Sequence, residues 1–177
     1  MSAPVFISVF GTPAPQGSKR AFAVRGKGGA PTGRVAVIES SHDRVKSWRQ
    51  AVIDAANDDP PFGTFAQVPG TPLAVEMVFF LARPASHYGT GRNAGVVKAS
   101  APRFPGRTPD LSKLVRATED ALTDCGAWAD DAQVVTLEAA KRWADGRPPG
   151  ARIAITDAVL MPVRIPVLTH GRKEVTS

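Results

Sequence analysis

The chain opens on an apolar, β-prone run, Val5, Phe6, Ile7, Val9 and Phe10, which stops at Gly11 and predicts a strand. A basic loop punctuated by Pro and Gly follows from Thr12 to Lys19. From Arg20 to Arg34 there is too little apolar periodicity to pack, so a mobile basic loop is expected. Val45, Trp48, Val52 and Ala55 then recur at helical spacing, with Arg44, Lys46 and Arg49 on the opposite side. This predicts an amphipathic helix, capped by Ser40 or Ser41 and ending near Asn57, where Asp58-Asp59-Pro60-Pro61 stops it. Leu73 to Leu81 is a continuous apolar run of β-branched and aromatic residues, the pattern of a buried strand.

Residues 83 to 107 hold Arg83-Pro84, His87-Tyr88, Gly91-Arg92, Lys98 and Arg103, a second basic and flexible stretch in which no regular element is expected. Thr108-Pro109 then offers an N-cap and a first-turn proline, and Leu111, Leu114, Val115, Thr118 and Leu122 recur at helical spacing, predicting a helix over about 108 to 124. Gln133 to Trp143 and Arg152 to Thr156 read as strands, with Gly146 to Gly150 as a hairpin loop between them. The order β, α, β, α, β, β describes one α+β domain over 1–157, with a small mixed sheet and two main helices. Residues 158–177 form a tail without assignable pattern. Trp48 and Trp143 are expected in the core, and Trp128 either there or at a DNA-facing surface.

Composition narrows the class. With 177 residues, 43% of them apolar, the chain can bury one core but not two ordinary ones. The lone Cys125 excludes an intramolecular disulfide and a cysteine-based zinc cage, which fits a reducing cytoplasm. No long apolar run or leader-like pattern is present, so no membrane association is expected. The formal charge of +6 is uneven: residues 1–50 hold eight Lys/Arg against two acids, and the remainder holds fourteen against fourteen. An excess confined to one segment suits a polyanionic partner, because each phosphate neutralised releases a counterion; a solvated basic surface is the competing explanation. Lys19, Arg20, Arg25 and Lys27 are the candidates for phosphate contact.

The acids cluster around the second helix: Asp110 at its start, Asp120 within it, and Asp130-Asp131 after Trp128. Magnesium is held by one or two carboxylates together with water and substrate phosphate, so convergence of two or three of these would make a site. Taken alone, Asp110 could equally be a helix N-terminal charge and Asp130-Asp131 a solvated turn. The three histidines, His42, His87 and His170, show no ligand spacing, and Gly26, Gly28 and Gly29 lack the context of a phosphate loop.

The string from Thr108 through Leu122, followed by Trp128-Ala129-Asp130-Asp131-Ala132-Gln133-Val134, resembles the signature of the RusA family of Holliday junction resolvases, P-D-x-D-N-L-x-K-x-x-x-D-x-L and W-x-D-D-x-Q-V. Phe10 to Pro13 with Gln16 to Arg20 is similar to the family's opening strand and basic loop, and Phe79 to Pro84 to its strand ending in Arg-Pro. The likeness spans roughly residues 5 to 156. It implies a homodimeric, magnesium-dependent endodeoxyribonuclease, with manganese as an alternative ion, that cuts four-way DNA junctions symmetrically; many such enzymes are carried by phages or prophages. It further implies that Asp110 and Asp131 are catalytic metal ligands, with Asp130 a supporting carboxylate.

Two positions depart from the signature: Ser112 stands where the family has its second aspartate and Lys113 where it has asparagine, while Arg116 matches its lysine. A hydroxyl is a poor magnesium ligand, so Asp120 or a water would complete the set. Lys113 and Arg116 are candidates to stabilise charge developing on phosphate. Two other functions stay open: a branched-DNA-binding protein without catalysis, and a nuclease acting on branched DNA in general.

Overall fold

The computed structural model describes residues 4–17, 19–26, 31–39, 42–58 and 66–160. In chain order the elements are β1 (Val5–Phe10), β2 (Lys19–Arg25), β3 (Pro31–Glu39), α1 (His42–Asp58), β4 (Leu73–Leu81), α2 (Leu111–Asp124), β5 (Val134–Trp143) and β6 (Gly150–Asp157). The main sheet runs β1-β6-β4-β5; β6 is antiparallel to β1 and β4, whereas β5 is parallel to β4. A parallel pair needs a crossover, and α2 supplies it.

Both helices cover one face. Alternation along β4 sends Val75, Met77, Phe79 and Leu81 under them, with Ile7 and Val9 from β1 and Ile153 and Ile155 from β6. Val45, Trp48, Val52 and Ala56 form the inward side of α1, so Ala56, rather than Ala55, completes the stripe. The Trp48 indole N–H donates to Thr118 Oγ1 at 3.1 Å, and that hydroxyl donates onward to the Leu114 carbonyl at 2.9 Å. A buried polar pair is thereby satisfied while the two helices are fixed in register. At the surface, Arg49 bridges α1 to Asp120 and Asp124 of α2.

Four expectations need correction. The stretch from Arg20 to Arg34 is a paired ribbon: β2 and β3 match Lys19 to Glu39 and Ala23 to Val35. Such a ribbon forms through backbone pairing and need not contribute to a core, so the search for buried periodicity missed it. Second, β5 and β6 are not a hairpin, because β4 lies between them and pairs with both. Third, α2 begins at Leu111 with Asp110 at its N-cap position, and the Thr108–Pro109 peptide before it is cis.

The fourth correction concerns residues 83–107. Arg83 makes two bonds to the Asp145 carboxylate at 2.8 and 2.7 Å, lies 5.0 Å from the centre of the Trp143 ring, and donates to Pro102 O at 3.1 Å. His87 meets the same ring edge-on at 5.3 Å. Short 3-10 turns at Ala85–His87 and Gly91–Asn93 and the Gly89 N–H to Val96 O bond complete the stretch. Trp143 therefore serves as the anchor of a segment and is only partly buried, outside the closed core. Ser40, Ser41 and the chain beyond 160 lie outside the described residues.

Candidate active site

Asp110 sits where α2 starts, and its carbonyl accepts the first helical bond, from Leu114 N at 3.1 Å. Its side chain makes no capping bond. It is exposed and meets Lys113 Nζ at 3.4 Å, one turn on. The approach to Asp110 is held from the sheet: Lys141 of β5 donates to the carbonyls of Arg107 at 2.8 Å and Pro109 at 2.7 Å. The carboxylate thus projects from a braced backbone. Ser112 and Arg116 are exposed on the same helix.

Each residue of the segment Trp128 to Val134 has a distinct physical role. Trp128 is 2% exposed, with its indole N–H on Thr123 Oγ1 at 2.9 Å, so it belongs to the core and not to a DNA-facing surface. Asp130 caps a short 3-10 turn, Asp131–Gln133: its carboxylate accepts from Ala132 N at 2.8 Å, and the Gln133 side-chain oxygen accepts from Asp130 N at 2.9 Å. Gln133, nearly buried, donates with its amide to the carbonyls of Ala66, Val68 and Thr71. Asp131 remains exposed on this pinned turn. Both the capping role of Asp130 and the anchoring role of Gln133 escaped the sequence reading, although D-x-x-Q is a capping-box spacing.

The structure does not bring Asp110 and Asp131 together within one chain. Asp110 precedes α2 and Asp131 follows the turn beyond its end, and the 14 residues of the helix rise about 21 Å. Asp131 instead faces the far half of α2. There Glu119 has its pKa raised, chiefly by burial and then by the charges of Asp131 and Asp120, with Arg116 opposing. Asp120 accepts from Gln16 Nε2 at 3.2 Å and pairs with Arg49 at 3.5 Å. It stands ten positions, roughly 15 Å, from Asp110, whereas two ligands of one magnesium lie only about 4 Å apart at most. Among the described residues no group of three acidic, histidine or cysteine side chains converges as a metal cage.

The largest cleft, about 1350 Å³, lies at the Asp110 end of the molecule, between the Gly11–Pro15 loop, the start of α1 and the segment leading to Pro109. Trp48 and Trp143 line it, as does His87, whose Nδ1 is buried without a hydrogen-bond partner, so this histidine is no plain surface residue. Lys27 and the side chains of Lys19, Arg20 and Arg25 lie outside the described residues; the backbone of the last three belongs to the β2–β3 ribbon. No helix among the described residues is long and apolar enough to cross a membrane.

Compared with known proteins, residues 12–156 match the family model described as Endodeoxyribonuclease RusA. The match contains both helices, the strands β2 to β5 and both halves of the acidic motif. No curated protein matches the chain.

Proposed function

From the premise that this chain belongs to the RusA endodeoxyribonuclease family, we propose that it is a magnesium-dependent enzyme that resolves four-way DNA junctions by paired cuts, working as a homodimer with Asp110 and Asp131 as its metal-holding acids. The observation that carries this reading is the presentation of the two acids. Each is exposed and free of capping duty, and each is borne on a braced backbone, by the Lys141 clamp on one side and the Asp130–Gln133 box on the other. Surface acids without function have no such support.

A bound magnesium ion would polarise the phosphate and acidify a water. One chain does not fit such an ion between Asp110 and Asp131, so a second copy has to complete the donor set. β5 is an edge strand, with Val135 61% and Leu137 42% exposed near its start, and an edge of this kind is a template for pairing with another strand. Antiparallel pairing of two β5 strands about a two-fold axis sets the start of one beside the end of the other. The start is joined to Asp131; the end carries Lys141, which holds Pro109 next to Asp110. Asp131 of the second copy is thereby carried toward Asp110 of the first. Two equivalent sites on a two-fold dimer suit a two-fold junction cut on opposing strands.

Within each site, Lys113 holds the Asp110 carboxylate, and Arg116, three positions on along the same face of α2, offers a guanidinium to the phosphate. The test is co-expression of Asp110→Asn with Asp131→Asn. Each variant alone is expected to leave a labelled junction intact, whereas the mixed dimer retains one complete site and nicks a single strand. Cleavage by wild type without rescue in the mixture would place both acids in one site of one chain. Tight junction binding by a wild type that never cuts with magnesium would select the binding-only alternative.

A further inference from the structure

The face of the main sheet turned away from the helices carries aromatic rings where solvated positions usually carry polar ones. Phe6 is 65% and Phe10 is 70% exposed on β1. Phe10 of β1 and Phe80 of β4 both stand opposite Gly150 of β6, so the two rings flank a position without a side chain. A Cβ at Gly150 would come within 2.0 Å of the Val9 carbonyl oxygen, which keeps this gap open. Adjacent strands are about 4.8 Å apart, so the two phenylalanine backbones are separated by roughly 10 Å. That width admits one flat ring between the phenyls, with van der Waals contact at about 3.5 Å on each side.

The surroundings of the slot are cationic. The Arg147 guanidinium lies 4.5 Å from the centre of the Phe80 ring. Arg142, next to Phe80 across the β4–β5 ladder, lies 5.1 Å from the Phe104 ring. Exposed Arg152 is two residues along β6 from Gly150, on the same face. The acids of this face, Glu76 and Glu138, oppose one another four positions farther down the ladder, roughly 13 Å away.

We infer that the slot between Phe10 and Phe80 binds an unpaired nucleobase of the DNA substrate, with the surrounding arginines on the flanking phosphates. Interleaved aromatic and basic side chains are what single-stranded nucleic acid requires, since every base has a π face and every linkage a negative charge. At a branch point base stacking is already interrupted, so a base leaves the stack there at least cost. The inference rests on DNA being the substrate, and neither on the metal assignment nor on paired cutting.

The test is binding by the full chain, without magnesium, to a four-way junction bearing 2-aminopurine at the crossover, with a fully paired duplex as control. Wild type is expected to raise 2-aminopurine emission on the junction only. Phe10→Ala should lose that rise and bind the junction roughly ten- to a hundredfold more weakly. Phe10→Tyr should keep both, and Phe10→Leu, which keeps the apolar volume, should lose the emission change. An unchanged signal and affinity in Phe10→Ala would overturn the slot while leaving the nuclease reading intact. Conversion of a wild-type dimer into a monomer by Phe10→Ala would also overturn it, by showing that a second copy covers the face. Failure of wild type to bind any DNA would remove the nuclease reading together with the slot.

Discussion

Lys141 on β5 holds the carbonyl of Pro109 at 2.7 Å, and through it the position of Asp110 at the start of α2. The clamp links the sheet edge to a catalytic acid. Lys141→Met keeps most of the side-chain volume and removes the donor, so stability should fall by only about 1 kcal/mol. Cleavage should fall further, on the order of tenfold to a hundredfold, because small displacements of a reacting group are costly. Urea midpoints and junction cleavage, measured where both proteins are folded, separate the two effects; undiminished cleavage would mean that the clamp does not position Asp110.

The adjacent acids Asp130 and Asp131 should separate cleanly. Asp130 accepts from Ala132 N within a capping box, so Asp130→Ala should cost about 1 kcal/mol of stability and leave measurable cleavage. Asp131→Asn changes an exposed carboxylate and should leave stability nearly unaltered while abolishing cleavage. If Asp130→Ala eliminates cleavage without destabilising the fold, the roles of the two residues are reversed.

Trp48 and Thr118 supply a third test, confined to the core. Thr118→Val nearly preserves shape but strands the buried indole N–H of Trp48, which costs about 1–3 kcal/mol. Thr118→Ser retains the hydroxyl and should recover part of that loss. Equal destabilisation by Val and Ser would point to packing around the missing methyl or hydroxyl volume, and not to the hydrogen bond.

Periodic burial is written locally, and pairing partners are not. Leu73–Leu81 and the inward faces of α1 and α2 were legible because each repeat reports one buried side. The Gly146–Gly150 loop looks like a hairpin turn, yet nothing in its own residues reveals that β4 intervenes between the strands it joins. The site was legible to the same extent. Motif spacing identified Asp110 and Asp131, but reading them as spatial neighbours overlooked the rigid length of the helix between them. Gln133 was passed over because it has no chemistry of its own; it acts by fixing three backbone carbonyls.

Glu119 makes stability depend on pH in an unusual direction for a carboxylate. Burial and the nearby Asp131 and Asp120 raise its pKa in the folded chain above the ordinary 4.5. Unfolding therefore releases a proton between 4.5 and the folded value, and stability falls as pH rises through that window. Below 4.5 the group is neutral in both states and the penalty disappears. Glu119→Gln should accordingly be more stable than wild type at neutral pH and equal to it in acid. An advantage of the same size at both ends of the range would show that the effect comes from something other than the ionisation of Glu119.

Ser112 is the position at which this chain departs most consequentially from its family signature. It lies exposed in the first turn of α2, two residues beyond Asp110. A carboxylate there is favoured by the helix dipole, so Ser112→Asp should gain about 0.3–1 kcal/mol of stability whether or not it touches a metal. The catalytic expectation is separate: an added oxygen ligand beside Asp110 should speed magnesium-dependent junction cleavage severalfold and lower the magnesium concentration needed for half-maximal rate. Ser112→Glu supplies a control with the same charge and a longer reach. Faster cleavage at lower magnesium in Asp, but not in Glu, would establish a ligand whose geometry matters. A stability gain shared by both, with cleavage and metal dependence unmoved, would confine the effect to the helix terminus and place the magnesium ion elsewhere.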